Sequence, residues 1–171
     1  MLISVAPVDA SLRKSVLALR FASAQFPEAG SIDAMLIAAD ASPSAESMAI
    51  LDADTVVGYY RLEDRLQTIT TRTFTRPGIA LLGYCIDAAH QGRGKGARAL
   101  SVACDDVRTR RPEATVLVLN VACNNLAATR MYRRGGFKAV GPPHPAGTGG
   151  PEQLMALHLK SSNSADPPDH D

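Results

Sequence analysis

The apolar run GIALLGYCID passes without a linker into the glycine-rich turn QGRGKG, and from there into the helical pattern ARALSVACDDV. Glycine costs conformational entropy wherever the chain is ordered, so a cluster of glycines marks a place where something approaches the backbone closely. A continuous apolar run bounded by turn-formers fits a central strand covered on both faces. Strand, glycine turn and helix in direct succession leave the first free N–H groups of the helix aimed beyond the turn, where an anion can sit. Arg93 and Lys95 would add positive charge there. The plainer alternative is a tight strand-to-helix turn with two solvated cations.

Two familiar phosphate motifs do not fit. A P-loop needs GxxxxGK followed by a hydroxyl residue, and Gly92 to Lys95 has neither that spacing nor the hydroxyl. A dinucleotide fingerprint needs GxGxxG with a carboxylate closing a later strand, whereas this turn is GxGxG and no such carboxylate presents itself.

The rest of the chain alternates helical and strand patterns. LISVAP reads as a strand. SLRKSVLALRFASAQF, with Leu12, Val16 and Leu19 on one face, reads as a helix stopped by Pro27, and SIDAMLIAADA as a second helix capped by Ser31. SMAILDADTVVGYYRLED is a hairpin pattern around Asp52-Ala53-Asp54, without the usual glycine. RLQTITTRTFTRP is open between strand and ordered loop. TVLVLNV is a second buried strand, NNLAATRMYRRGG a helix capped by Asn124 or Asn125 with a left-handed end at Gly135 and Gly136, and FKAVG and EQLMALHLK are two closing strands. GPPHPAGTGGP lies between them as a flap candidate. Interleaved helices and strands predict a mixed α/β (α+β) class with one main sheet.

With 171 residues the chain is expected to form a single domain over 1–160, followed by a disordered polar tail, SSNSADPPDHD, over 161–171. A net charge of +1 gives no general pull toward nucleic acid or anionic membrane. No apolar run approaches the ~18 residues of a membrane span, and the N-terminus has no secretory pattern, so the default compartment is cytoplasmic. Cys85, Cys104 and Cys123 lack metal-ligand spacing and read as reduced, mostly buried thiols. No metal is expected.

Gln91-x-x-Gly94-x-Gly96, followed by a helix, the strand TVLVLNV, and then Asn125, Tyr132, Gly136 and Phe137 at their spacings, resembles the cofactor-binding half of the GNAT (N-acetyltransferase) superfamily over about residues 80 to 140. The resemblance implies the GNAT acyl-CoA N-acyltransferase fold, a single mostly antiparallel mixed sheet of roughly six to seven strands with about four helices. It also implies acetyl-CoA (coenzyme A) as co-substrate. Its pyrophosphate would lie on Gln91, Gly92, Arg93, Gly94, Lys95, Gly96 and Ala97, chiefly on N–H groups of the turn. Its pantetheine arm would pair with main chain around Tyr84, Cys85 and Ile86 and touch Asn125, and Tyr132 would lie near the sulfur.

Acetyl transfer by direct attack needs a neutral amine, a donor to the developing oxyanion and a proton for the leaving thiolate. An alkyl ammonium has a pKa near ~10.4, so a base or a desolvating pocket must help. A backbone N–H of IALLGYCI can serve the oxyanion, and Tyr132 is the expected general acid; its structural alternative is a packed helix tyrosine. Some branches of the family carry a glutamate five residues before the motif asparagine, where this chain has Asn120; others carry one on the strand before the turn, and IALLGYCI has none. Glu63, Asp64, His144 and relayed water remain as base candidates, and Asp87 and His90 flank the turn as caps or packing groups.

Outside the motifs, ALRFASAQF, VVGYYRLED and AGTGGPEQLMAL are similar, more loosely, to bacterial diamine and spermidine acetyltransferases. That subset implies an acceptor pocket among Gln25, Phe26, Tyr59, Tyr60, His144 and Glu152, with Glu28, Glu63, Asp64 and Glu152 as carboxylates for a cationic amine. The leading expectation is an N-acetyltransferase acting on a primary amine of a small molecule, polyamine or amino-acid-like, in a chain that could form a homodimer as many relatives do. The alternatives are acetylation of a protein N-terminus or an aminoacyl-tRNA, the latter needing a basic face from Arg13 to Arg20, Arg72 and Arg76, and a non-catalytic acyl-CoA-binding module.

Overall fold

The computed structural model describes residues 1–21, 31–146 and 149–159. Its strands are β1 (Ile3–Pro7), β2 (Ala45–Asp52), β3 (Thr55–Glu63), β4 (Gly78–Ile86), β5 (Val116–Ala122), β6 (Lys138–Ala139) and β7 (Glu152–His158), and its helices α1 (Ala10–Leu17), α2 (Ile32–Asp40), α3 (Lys95–Arg110) and α4 (Leu126–Arg134). The strands form one sheet in the order β1-β2-β3-β4-β5-β7-β6. Every neighbouring pair is antiparallel except β4 and β5, which run parallel. This is the mixed, mostly antiparallel sheet expected from the sequence.

The apolar spacing of each element assigns it a side of the sheet. Leu100, Ala103, Cys104 and Val107 of α3 bury against Leu117, Leu119 and Val121 of β5 in the largest core cluster. Val16 of α1 and Met35 and Leu36 of α2 pack with Ala49, Tyr59 and Cys85 in a second. A third cluster joins Leu66, Val116, Val118 and Leu154, with Ile69 and Phe74 leaning on it. The segment RLQTITTRTFTRP is therefore a loop, opening with a 3-10 turn at Leu66–Thr68, whose apolar residues cover a sheet face.

Four local expectations are refined. The first helix ends at Leu17, because the next residues turn away: Leu19 N–H bonds the Val16 carbonyl, and Arg20 bonds Asp87 and Ala88 through its main chain at 2.8 Å each. Its expected continuation through Phe26 lies outside the described residues, as does the 161–171 tail. The helix cap is Asn125, whose Oδ1 accepts from Ala128 N–H at 3.1 Å. The left-handed residue at the other end is Gly136, with Gly135 still right-handed. The hairpin forms where expected, and in place of glycine Ala53 takes the positive φ of +53°.

Candidate active site

β4 and β5 are hydrogen-bonded only at their starts, Gly78 with Val116, Ile79 with Leu117 and Ala80 with Val118. Beyond Ala80 they separate. The outer edge of β4 stays on β3 as far as Gly58 opposite Ile86, and that of β5 stays on β7 as far as Ala122 opposite Glu152. The two facing inner edges therefore present unpaired main chain to a cleft, and buried main-chain groups require partners. A cavity of about 690 Å³ fills the opening, a volume suited to a small-molecule or cofactor site. Its walls carry Tyr84, Met131 and Tyr132 from the α3 side of the sheet and Ile69 and Leu82 from the other, so it passes through the sheet.

A bulge shapes the β4 wall. Tyr59 pairs with Cys85 but Arg61 pairs with Leu82, so β4 spends one residue more than β3 between those rungs. Gly83 absorbs it with φ +60°, a conformation that disfavours any residue with a Cβ. Gly83 and Tyr84 thereby leave the β3 ladder while lining the cavity.

At one end stands the glycine turn. The Gln91 side chain donates to the Ile86 carbonyl at 2.8 Å, folding the turn back onto the end of β4. Gly92 (φ +76°) and Gly94 (φ +72°) are left-handed, and a Cβ on either would point into open space. Gly94 caps α3 without any side-chain hydrogen bond, and the first turn of α3 holds no acidic residue, so its leading N–H groups and its positive dipole end remain available to an anion. Asp87 caps the 3-10 turn at Ala88–His90 through Ala89 N–H.

Tyr132 enters from α4 and is buried, 6% exposed. Its ring meets Tyr84 edge-on, centroids 6.2 Å apart, and Phe137 at 5.7 Å. Its hydroxyl has no hydrogen-bond partner among the described residues. Burial pushes its pKa well up, so the phenol stays protonated and can donate. Burial likewise raises the Cys85 thiol, which donates to the Tyr59 carbonyl, and lifts Cys104 to about 11. Neither cysteine is poised as a thiolate.

Of the residues singled out in the sequence, Tyr84, Cys85, Ile86, Gln91, Gly92, Gly96, Asn125 and Tyr132 line the cavity, with His144 and Glu152 at its far side. Arg93, Gly94, Lys95 and Ala97 stand outside its walls, on the turn and the first turn of α3. The Lys95 ammonium is engaged elsewhere, 2.8 Å from Asp52 and 3.1 Å from His90 Nδ1. Asn125 has its Oδ1 on the cap, which leaves its N–H2 for a ligand.

The other base and pocket candidates part company. Glu63 is buried at the end of β3, where it accepts from Ser42 at 2.9 Å and from Ser44; those hydroxyls hold its pKa down against the effect of burial. Asp64 pairs with Arg111 at 2.8 Å. Neither lines the cavity, and nor do Tyr59 and Tyr60, both fully buried. Gln25, Phe26 and Glu28 lie outside the described residues. The sequence reading did not single out Gly83, although a glycine inside an apolar strand is the usual mark of a bulge.

The sequence model of the acetyltransferase (GNAT) family matches residues 16–137. The chain belongs to this family. Membership makes it an acetyl-CoA-dependent N-acetyltransferase. No curated protein matches. Among solved structures, the GNAT fold recurs in yncA from Salmonella typhimurium, solved with acetyl-CoA, at 20% identity over 97% of this chain and 99% of that one, TM-score 0.67. Spermidine N-acetyltransferase from Vibrio cholerae, in complex with CoA and spermine, is 16% identical over 92% and 95%, TM-score 0.69. The aminoglycoside acetyltransferase AAC(6')-Ib is 16% identical over 98% and 100%, TM-score 0.73. No described helix of this GNAT chain is long and apolar enough to cross a membrane, and no cluster of three or more His, Cys, Asp or Glu among its described residues could hold a metal ion.

Proposed function

We propose that this GNAT chain acetylates a primary amine of a small molecule, polyamine or amino-acid-like, by direct attack within the cleft between β4 and β5. The observation that carries this reading is the inner edge of β4, unpaired beyond Ala80 among the described residues, facing the buried Tyr132 phenol, which has no hydrogen-bond partner among them. Acetyl-CoA supplies a thioester carbonyl activated for acyl transfer. The residues present fit it: the left-handed glycines leave open space before the free N–H groups of α3, and the splayed edge of β4 offers main-chain groups to an extended arm.

On this reading Gly92 to Ala97 hold the pyrophosphate through main-chain N–H groups, with Arg93 near the rim. The edge of β4 around Tyr84, Cys85 and Ile86, together with the Asn125 N–H2, orients the arm. A main-chain N–H at the Gly83–Tyr84 bulge donates to the developing oxyanion. The amine nitrogen forms its bond to the carbonyl carbon as the C–S bond breaks. Tyr132 gives its proton to the departing sulfur and regains one from water, which takes up the proton lost by the amine. His144 and Glu152 line the acceptor end, where a carboxylate favours a cationic substrate. The arginine needed for a basic tRNA-binding face at Arg13 is paired with Asp40 at 2.7 Å, which favours the small-amine reading.

The test is thiol release from acetyl-CoA by the pure protein against polyamines, amino acids, aminoglycosides and N-terminal peptides. Turnover with a small amine that collapses in Tyr132→Phe, with acetyl-CoA affinity kept, supports the reading. Turnover with peptides alone overturns the acceptor class, and a Tyr132→Phe variant at full rate removes Tyr132 as the acid.

A further inference from the structure

Asn120 lies at the point where β5 leaves β4. Its side-chain N–H2 donates to the Ile69 carbonyl oxygen at 2.8 Å. A carbonyl oxygen only accepts, so the amide cannot be turned round, and Oδ1 is the atom left over. That oxygen is buried and has no hydrogen-bond partner among the described residues, yet the residue lines the cavity. Its main chain is fixed by the rung opposite Leu154 in the ladder with β7. A buried acceptor held in place on both sides and left without a donor is costly unless something outside the chain completes it.

The pleat of β5 supplies the direction. Leu119 and Val121 point to the α3 side, whereas Val116 and Val118 point to the opposite face with Ile69 and Leu82, and Asn120 follows that second alternation. Tyr132 approaches the cleft from the α3 side. The two polar groups thus meet the cleft from opposite faces of the sheet, a proton donor on one side and a bare acceptor on the other. His144 and Glu152 also line the cavity, Glu152 standing opposite Ala122 of β5 and bridged to His144.

We infer that Asn120 Oδ1 receives an N–H of the attacking amine, which makes Asn120 a catalytic residue that aims the lone pair and favours primary amines. The inference rests on the cleft being the site of acetyl transfer. A neutral primary amine carries two N–H bonds and one lone pair, so one hydrogen can bond Oδ1 while the lone pair faces the thioester carbonyl. A secondary amine has a single N–H, which cannot both stay on Oδ1 and be the proton that passes to water, whereas a primary amine keeps one hydrogen on Oδ1 and loses the other. An amide oxygen at this pH takes no proton. Asn120 therefore orients the nucleophile, and water removes the proton.

The full chain is compared with Asn120→Leu, which removes the acceptor at similar volume, and Asn120→Asp, which keeps an acceptor oxygen but loses the donor to Ile69. The readouts are kcat and KM for a primary amine and its N-methyl counterpart, acetyl-CoA affinity, amine-independent acetyl-CoA hydrolysis and Tm. Asn120→Leu is expected to lower kcat/KM for the primary amine about tenfold to a hundredfold and to erase the preference over the N-methyl amine. Both variants lose the bond to Ile69 alike, and Asn120→Asp recovers amine acetylation above the leucine variant. Equal losses in both variants would mean that Asn120 only anchors the Ile69 loop, and this overturns the inference while the acetyl-transfer reading stands. A wild-type chain with no primary-over-secondary preference overturns it without any variant. A wild-type chain that binds acetyl-CoA and acetylates no amine overturns that reading and this inference with it.

Discussion

The Tyr84 hydroxyl donates to the Gly96 carbonyl oxygen at 2.6 Å, joining the splayed edge of β4 to the first turn of α3. One side chain thereby fixes the distance between the strand proposed to hold the pantetheine arm and the turn proposed to hold the pyrophosphate. Tyr84→Phe keeps the ring contacts with Tyr60 and Tyr132 and removes only this bond, worth about 1 kcal/mol. Tm is expected to fall by about 2–4 °C, with acetyl-CoA affinity weakened several-fold and kcat little changed. Calorimetric titration and a melting curve check both, and a variant with unchanged affinity would mean that the bond does not position the cradle.

The ion pair of Lys95 with Asp52 ties the same turn to the β2–β3 hairpin, with both side chains largely covered. The Lys95 hydrogen bond is also the main cause of the lowered Asp52 pKa. Lys95 therefore supports the turn rather than offering its charge to a phosphate. Lys95→Met and Asp52→Asn should each lower stability slightly, with a double mutant less destabilised than the sum. Both should weaken acetyl-CoA binding alike, through the turn. A much larger affinity loss in Lys95→Met than in Asp52→Asn would place the ammonium on the phosphate after all.

Gly94 and Gly150 offer a matched comparison. Both are left-handed, φ +72° and +84°, and a Cβ on either meets nothing within 4 Å. Alanine at each should cost about 1–2 kcal/mol of backbone strain. Only Gly94 stands at the head of α3, where the added methyl would enter the space proposed for the pyrophosphate. Gly94→Ala is thus expected to lose acetyl-CoA affinity beyond its stability loss, and Gly150→Ala to lose stability alone. Affinity measured beside urea midpoints separates the two, and equal affinity in both variants would remove the cradle from the glycine turn.

The parts of the site legible in sequence were those whose geometry demands a residue type. Gly92 and Gly94 are read from the turn, and Asn125 from its spacing to Tyr132, Gly136 and Phe137 in the family motif. The opening between β4 and β5 has no residue of its own; it is a ladder that stops after Ala80. Asn120 read as a missing glutamate because its state is set by the Ile69 carbonyl, 51 residues away. The first helix looked longer because Leu19 keeps the apolar spacing, while Arg20 is bound through its main chain to Asp87, 67 residues away. Glu63 looked like a free carboxylate for the same reason, since Ser42 and Ser44 reach it only through the β2–β3 pairing.

The buried tyrosines Tyr60, Tyr84 and Tyr132 are expected to make stability fall at alkaline pH. Burial raises the pKa of the phenols of Tyr60, Tyr84 and Tyr132 in the folded chain, whereas in the unfolded chain they titrate near ~10. The folded state thus holds protons that the unfolded state releases, so stability is fully present below about pH 10 and declines as pH rises above it. Each phenol held neutral adds about 1.4 kcal/mol of loss per pH unit. Tyr60 is the informative member, because its hydroxyl is buried without a partner among the described residues. Tyr60→Phe removes a group that is both unsatisfied and titratable, so at neutral pH it should be neutral or stabilising by up to about 1 kcal/mol. Above pH 10 its stability should fall less steeply than that of the wild type. Denaturant midpoints across pH, followed together with tyrosinate absorbance, provide the check. A Tyr60→Phe chain that is less stable at neutral pH and parallels the wild type above pH 10 would show that the hydroxyl has a partner in solution.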